Sequence, residues 1–215
     1  LKFNTNLQNA IDLWKNDIDC HDSAGKCLTY QNLSDGNIWT NFSQISKFMK
    51  IAKDTRNSGC NVDWLPDNAL DYYGNNESSS YGGVSSSVCG DGAFLLQDGT
   101  TFSVDSDAAG FDITVDVNGK KFPNRIGKDT FKIRIGDQSA SSIYCSPKDI
   151  CYNYTQTQLN SNGKGLCGIA QAGNCNPNNT DPTKDNGAMP TSYVILSYKL
   201  PDFKELAKTV PGFKP

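Results

Sequence analysis

The chain has 215 residues, with 20 Lys plus Arg against 23 Asp plus Glu and a net charge of −3. That length holds one domain with a real core, and a balance this close to neutral excludes binding nucleic acid by bulk electrostatics. Leu, Ile, Val and Phe make up only about a fifth of the residues, while Asn and Asp, both turn and cap formers, are abundant; the composition predicts a lean core with long or numerous loops.

In chain order, Phe3, Leu7, Ile11, Trp14 and Ile18 recur at helical spacing with Ala10 beside them, which predicts an amphipathic helix over residues 1–19 with one packing stripe. Residues 20–41 read as a loop. A second helix is predicted from Asn41 or Ser43 to about Asp54, with Phe42, Ile45, Phe48, Met49 and Ala52 on one face. Residues 54–92 are rich in Asn, Gly and Ser and read as loop. The period then changes to two. Residues 93–97 form a strand, Asp98-Gly99 a hairpin turn, and residues 101–104 the return strand. Phe111 to Val117 alternates apolar and polar, Asn118-Gly119 turns the chain, and residues 131–135 alternate again. Residues 93–135 are thus an antiparallel meander with one buried face. Residues 136–190 read as loop, Ser192 to Leu200 as a last strand and Asp202 to Val210 as a terminal helix. The fold class is α+β: an N-terminal helix packed on an antiparallel sheet, in one domain over residues 1–215, with a cysteine-rich region at 136–215.

Eight cysteines, Cys20, Cys27, Cys60, Cys89, Cys145, Cys151, Cys167 and Cys175, are an even number without a Cys-x-x-Cys. That pattern fits disulfides in an oxidising compartment better than zinc. Local pairing is expected: Cys20–Cys27, Cys60–Cys89, Cys145–Cys151 and Cys167–Cys175, each bridge contributing roughly 2–4 kcal/mol.

Enzymatic chemistry has little to draw on. The single histidine, His21, must serve any triad or imidazole base, yet it lies in a loop beside Cys20, whose thiol is expected to be oxidised. Glu77 and Glu205 are the only glutamates, and no phosphate loop, nucleophile elbow or zinc-binding helix occurs. No catalytic residue is assigned. Asp116, Asn118 and Asp129, with Asn124, offer oxygens to a hard cation such as calcium. The competing reading of Asp116-Val117-Asn118-Gly119 is a plain hairpin turn that needs Asn-Gly for positive φ. Asp105 and Asp107 are a weaker case of the same kind. Trp14, Trp39 and Trp64 fit the core better than a sugar-binding surface. No apolar run is long enough to span a bilayer and no basic leader precedes one. Beginning at Leu1 instead of Met, the chain reads as a processed or truncated product.

The stretch from Phe94 to Ile135, FLLQDGTTFSVDSDAAGFDITVDVNGKKFPNRIGKDTFKIRI, resembles a bacterial pilin-like family. In that family a strand ending in Asp-Gly is followed by D-x-N-G-x-K-x-P-N-x-x-G-x-D-x-F. Here those positions are Asp116, Asn118, Gly119, Lys121, Pro123, Asn124, Gly127, Asp129 and Phe131. The upstream FSQISKFMKIAKD is similar to the family's second helix. The resemblance, to type IV pilins and type II secretion pseudopilins, covers about two thirds of the chain. It implies a long N-terminal helix on an antiparallel sheet. It also implies an apolar half-helix ahead of Leu1 that anchors the subunit in the membrane before assembly, and a bacterial surface or envelope filament built from pilin-like subunits. Phe3, Leu7, Ile11, Trp14 and Ile18 would pack on the sheet. Some pseudopilins hold calcium near the sheet, which the resemblance extends to Asp116, Asn118 and Asp129. The expected role is structural, by assembly for adhesion, motility or secretion. The alternative is a secreted, disulfide-rich module that binds carbohydrate or another ligand.

Overall fold

The computed structural model describes residues 2–22, 27, 38–68, 70, 84–86, 89–107, 110–125, 129–136, 144–145 and 150–152. Helix α1 spans Lys2–Asp17 and buries Phe3, Leu7, Ala10, Ile11 and Trp14. Its end is marked by Asp19 in the left-handed region, φ 55°, where the Cys20 amide donates to the Lys15 carbonyl at 2.8 Å. Ile18, the last residue of the stripe, lies in that turn and packs against the core.

Helix α2 is shorter than its apolar spacing predicts. It covers only Phe42–Ser46, closes in two tighter turns in which Phe48 and Met49 donate to Ile45 and Ser46, and gives way to strand β1, Ile51–Asp54. The predicted extension of the helix to Asp54 is therefore corrected. Pairing of Ile51, Lys53 and Asp54 with β2 offers this segment more than one further helical turn with Ala52 on an exposed side, so tertiary context overrides local period.

The remaining strands are β2 Gly92–Leu96, β3 Thr101–Asp107, β4 Gly110–Asp116, β5 Thr130–Gly136, β6 Tyr144–Cys145 and β7 Ile150–Tyr152. They form a seven-stranded antiparallel sheet in the order β1-β2-β3-β4-β5-β7-β6. The meander is as predicted from alternation. Strand β3 runs on to Asp107, so Asp105 and Asp107 are ladder residues opposite Asp112 and Gly110. The reading of 136–190 as loop is corrected at β6 and β7, which extend the sheet past β5. Their register sets Cys145 directly opposite Cys151. The predicted last strand, the terminal helix and Cys167–Cys175 lie outside the described residues.

Alternation sends Phe94, Leu96, Phe102, Val104, Phe111, Ile113, Val115, Phe131, Ile133 and Ile135 to one face of the sheet, where they share a core with the stripe of α1 and with Phe42 and Ile45 of α2. Phe42 sits at its centre, 5.3 Å from Phe94, 5.9 Å from Phe102 and 5.5 Å from Phe111 between ring centroids, and Phe3 brings α1 onto Phe102 at 5.1 Å. Such tilted and edge contacts add to burial. A small second core of Leu65, Val84, Cys89 and Ala93 lies where the Cys60–Cys89 bridge ties down the β1–β2 connection. The Cys20–Cys27 bridge forms as predicted.

Candidate functional site

Strand β4 ends at Asp116 and β5 begins at Thr130, so the connection between them returns Asp129 beside Asp116. Gly119 takes φ 61° and Asn124 φ 47°, and the Phe122–Pro123 bond is cis. Only glycine fits at 119, because a Cβ there would stand 2.3 Å from the Gly99 carbonyl oxygen. The loop thus packs its first turn against the β2–β3 hairpin.

The three residues singled out from the sequence meet here. Asp129 is buried and organises the loop: its Oδ2 accepts from Asn118 Nδ2 at 3.1 Å and the Asn124 amide at 2.8 Å, and its Oδ1 from the Arg125 amide at 2.5 Å. Asp116, 1% exposed, accepts from the Asn118 amide at 3.1 Å and the Thr130 hydroxyl at 3.5 Å. Asn124 completes the arrangement. With its amide nitrogen turned inward, it donates to Asp116 Oδ2 at 3.1 Å and to the Gly119 and Lys121 carbonyls at 2.8 Å each.

Burial first, and the Asp129 carboxylate second, push the Asp116 carboxyl up to about 8, against the pull of the Asn118 and Gly119 amides and the Thr130 hydroxyl. Among the described residues no Lys, Arg or His forms an ion pair with either carboxylate. Two buried carboxylates without a cationic partner have two outlets: one keeps its proton, or a cation enters. The oxygens that converge on the Asn124 amide are of the hard type calcium takes, and Asp116, Asp129 and the Gly119 and Lys121 carbonyls would hold it. Without an ion, the Asn124 side-chain nitrogen reaches Asp116 Oδ2 and the two carbonyls, and its backbone amide reaches Asp129 Oδ2. Among the described residues no cluster of three or more His, Cys, Asp or Glu is placed to hold a metal.

The other expected features resolve simply. His21 is 89% exposed and pairs with Asp19 at 3.0 Å, and Cys20 is held in its disulfide, so a thiolate–imidazole pair is excluded there. Trp14 lies in the core, and Trp39 packs on Phe94 under the Arg56 guanidinium. No described helix is long and apolar enough to cross a membrane.

A second feature was not legible in the sequence. A cleft of about 440 Å³ opens between the N-terminal half of α1, the α2–β1 connection and the β2–β3 hairpin. Asn6 and Asn9 on the polar side of α1 carry no motif that marks them, and Gln97 belongs to a turn.

Comparison of the chain with protein-family models, with curated proteins and with solved structures finds no match.

Proposed function

We propose that this chain is the globular domain of a pilin-like subunit in a bacterial surface or envelope filament, and that it acts by assembly. One observation carries the reading: α1 lays a continuous stripe, Phe3, Leu7, Ile11 and Trp14, into the core that lines one face of the antiparallel sheet, and the motif-bearing loop joins the central strand β4 to its neighbour β5. A subunit of this build can extend its helix ahead of Leu1 into a filament core while the sheet and cystine loops face outward. Repeated heterologous contacts between such subunits give an open helical polymer. The membrane enters only through an apolar segment continuous with α1.

The test is the precursor and its product. The reading expects a short basic leader, then an apolar segment of roughly 20 residues running unbroken into α1, and antibodies against this domain decorating filaments on the producing cells. A cleavable signal peptide with no retained apolar helix overturns it and favours a secreted binding module.

A further inference from the structure

We infer that the cleft between α1 and the β2–β3 hairpin binds a saccharide of one or two rings that carries a carboxylate. Its walls are tied together before any ligand arrives. The Lys2 ammonium meets Asp98 Oδ2 at 2.9 Å and joins the helix to the hairpin. The Gln97 amide donates to the Lys50 carbonyl at 3.0 Å and joins the hairpin to the α2–β1 connection. Asp98 is fixed from its own side as well, because its Oδ1 accepts from the Thr100 amide at 3.1 Å. A site fixed in advance loses less entropy on binding.

The lining has the chemistry of sugar recognition. Phe48, partly exposed and backed by the buried Met49 and Leu96, supplies an apolar surface for the C–H face of a pyranose. Around it stand the side-chain amides of Asn6, Asn9 and Gln97, none of which spends its hydrogen bonds on another described residue. Each offers a carbonyl acceptor and an NH₂ donor, the complement of a sugar hydroxyl, which both donates and accepts. Asn6 and Asn9 are three apart on α1 and so project from one side. The cleft volume, about 440 Å³, falls in the range of small-ligand sites. Charge selects the class of sugar. Lys2 and Asp98 neutralise each other, whereas the Lys50 ammonium has no carboxylate partner among the described residues. It leaves the cleft one positive charge for an acidic substituent. The inference stands apart from the filament reading: a monomeric module and a filament subunit would present the cleft alike.

The probes are D-glucuronate, D-galacturonate, D-glucose and acetate, titrated into isotopically labelled protein and followed by amide shifts. The expected result is saturable, millimolar binding of a uronate whose shifts map to residues 2–9, 48–50 and 96–99. Binding of glucose should be weaker and of acetate undetectable. Asn6→Ala and Gln97→Ala, both at exposed positions, should each weaken uronate binding about tenfold with an unchanged melting temperature. Lys50→Ala should erase the preference for uronate over glucose. Acetate binding as tight as glucuronate makes this a plain anion site and overturns the inference. So does a lack of saturation with every sugar at about 50 mM, well past the millimolar range, or binding that Asn6→Ala and Gln97→Ala leave unchanged.

Discussion

Asp116 makes the stability of this protein a function of pH in a range where most carboxylates are silent. An unfolded aspartate gives up its proton near 3.8, whereas in the folded loop Asp116 holds it to about 8. Between those values the native state binds more protons than the unfolded state, so stability falls as pH rises. The contribution is full below about pH 4, declines by up to about 1.4 kcal/mol per pH unit, and levels off above about pH 8. Integrated over the window the ceiling is of order 5 kcal/mol. For a chain of this size each kcal/mol is worth about 2–4 °C in melting temperature. Asp98, where the Lys2 and Thr100 contacts outweigh partial burial and hold the carboxyl below its ordinary value, acts only at the acid end and leaves the window clear. Asp116→Asn removes the titrating group and keeps the shape. Its Oδ1 still accepts from the Asn118 amide, and Asn124 can turn its carbonyl toward the new NH₂. Melting temperatures measured from pH 5 to 8.5 in a chelating buffer should fall steeply for the wild type and much less for Asp116→Asn. Parallel curves for the two proteins would refute the reasoning.

Three further outcomes follow from the same structure. A few millimolar calcium should leave the melting temperature unchanged, because the Asn124 amide already satisfies the converging oxygens; a rise that Asp116→Asn abolishes would reassign them to the ion. Replacing Cys60 and Cys89 together should cost more than replacing Cys20 and Cys27, about 3.6 against about 2.5 kcal/mol from loop lengths set by separations of 29 and 7 residues; equal losses in urea denaturation would show that loop closure is not the origin. Phe42→Ala, at the centre of the aromatic cluster, should cost about 3–5 kcal/mol, and a loss below about 1 kcal/mol would mean that the cluster does not hold α2 to the sheet.

The parts legible in the sequence were those in which one physical period dominates. The stripe of α1 repeats over about four turns, and β4 alternates for seven residues between a hairpin glycine and an Asn-Gly, so no competing arrangement buries the same side chains. Residues 51–54 misled because Phe42, Ile45, Phe48, Met49 and Ala52 also satisfy a helical period. What decides the segment is an edge of β2 that comes from about forty residues away, and no local window contains it. Strands β6 and β7 have two and three residues, too few to show alternation at all. At the candidate loop the residue types were readable, but the burial that turns Asp116 into a proton-holding group depends on where the β2–β3 hairpin packs. The cleft is built from three segments distant in sequence, and its polar residues look like ordinary solvated ones until the fold brings them together.

The Cys60–Cys89 bridge alters the route by which the sheet assembles. Asp54, which ends β1, and Gly92, which begins β2, are 38 positions apart along the chain, but through the bridge the path shortens to about nine. A pairing that would be a long-range search in the reduced chain becomes nearly as local as a hairpin in the oxidised one, with an entropy saving of about 1 kcal/mol in closing it. The pairs β2–β3 and β3–β4 are already joined by connections of four and two residues, and β4–β5 by one of thirteen. Oxidation therefore turns the first five strands into a single succession of local closures, the kind of topology that folds fast. The timing of that one bond during folding decides whether β1 finds its edge at once or leaves it open to another chain.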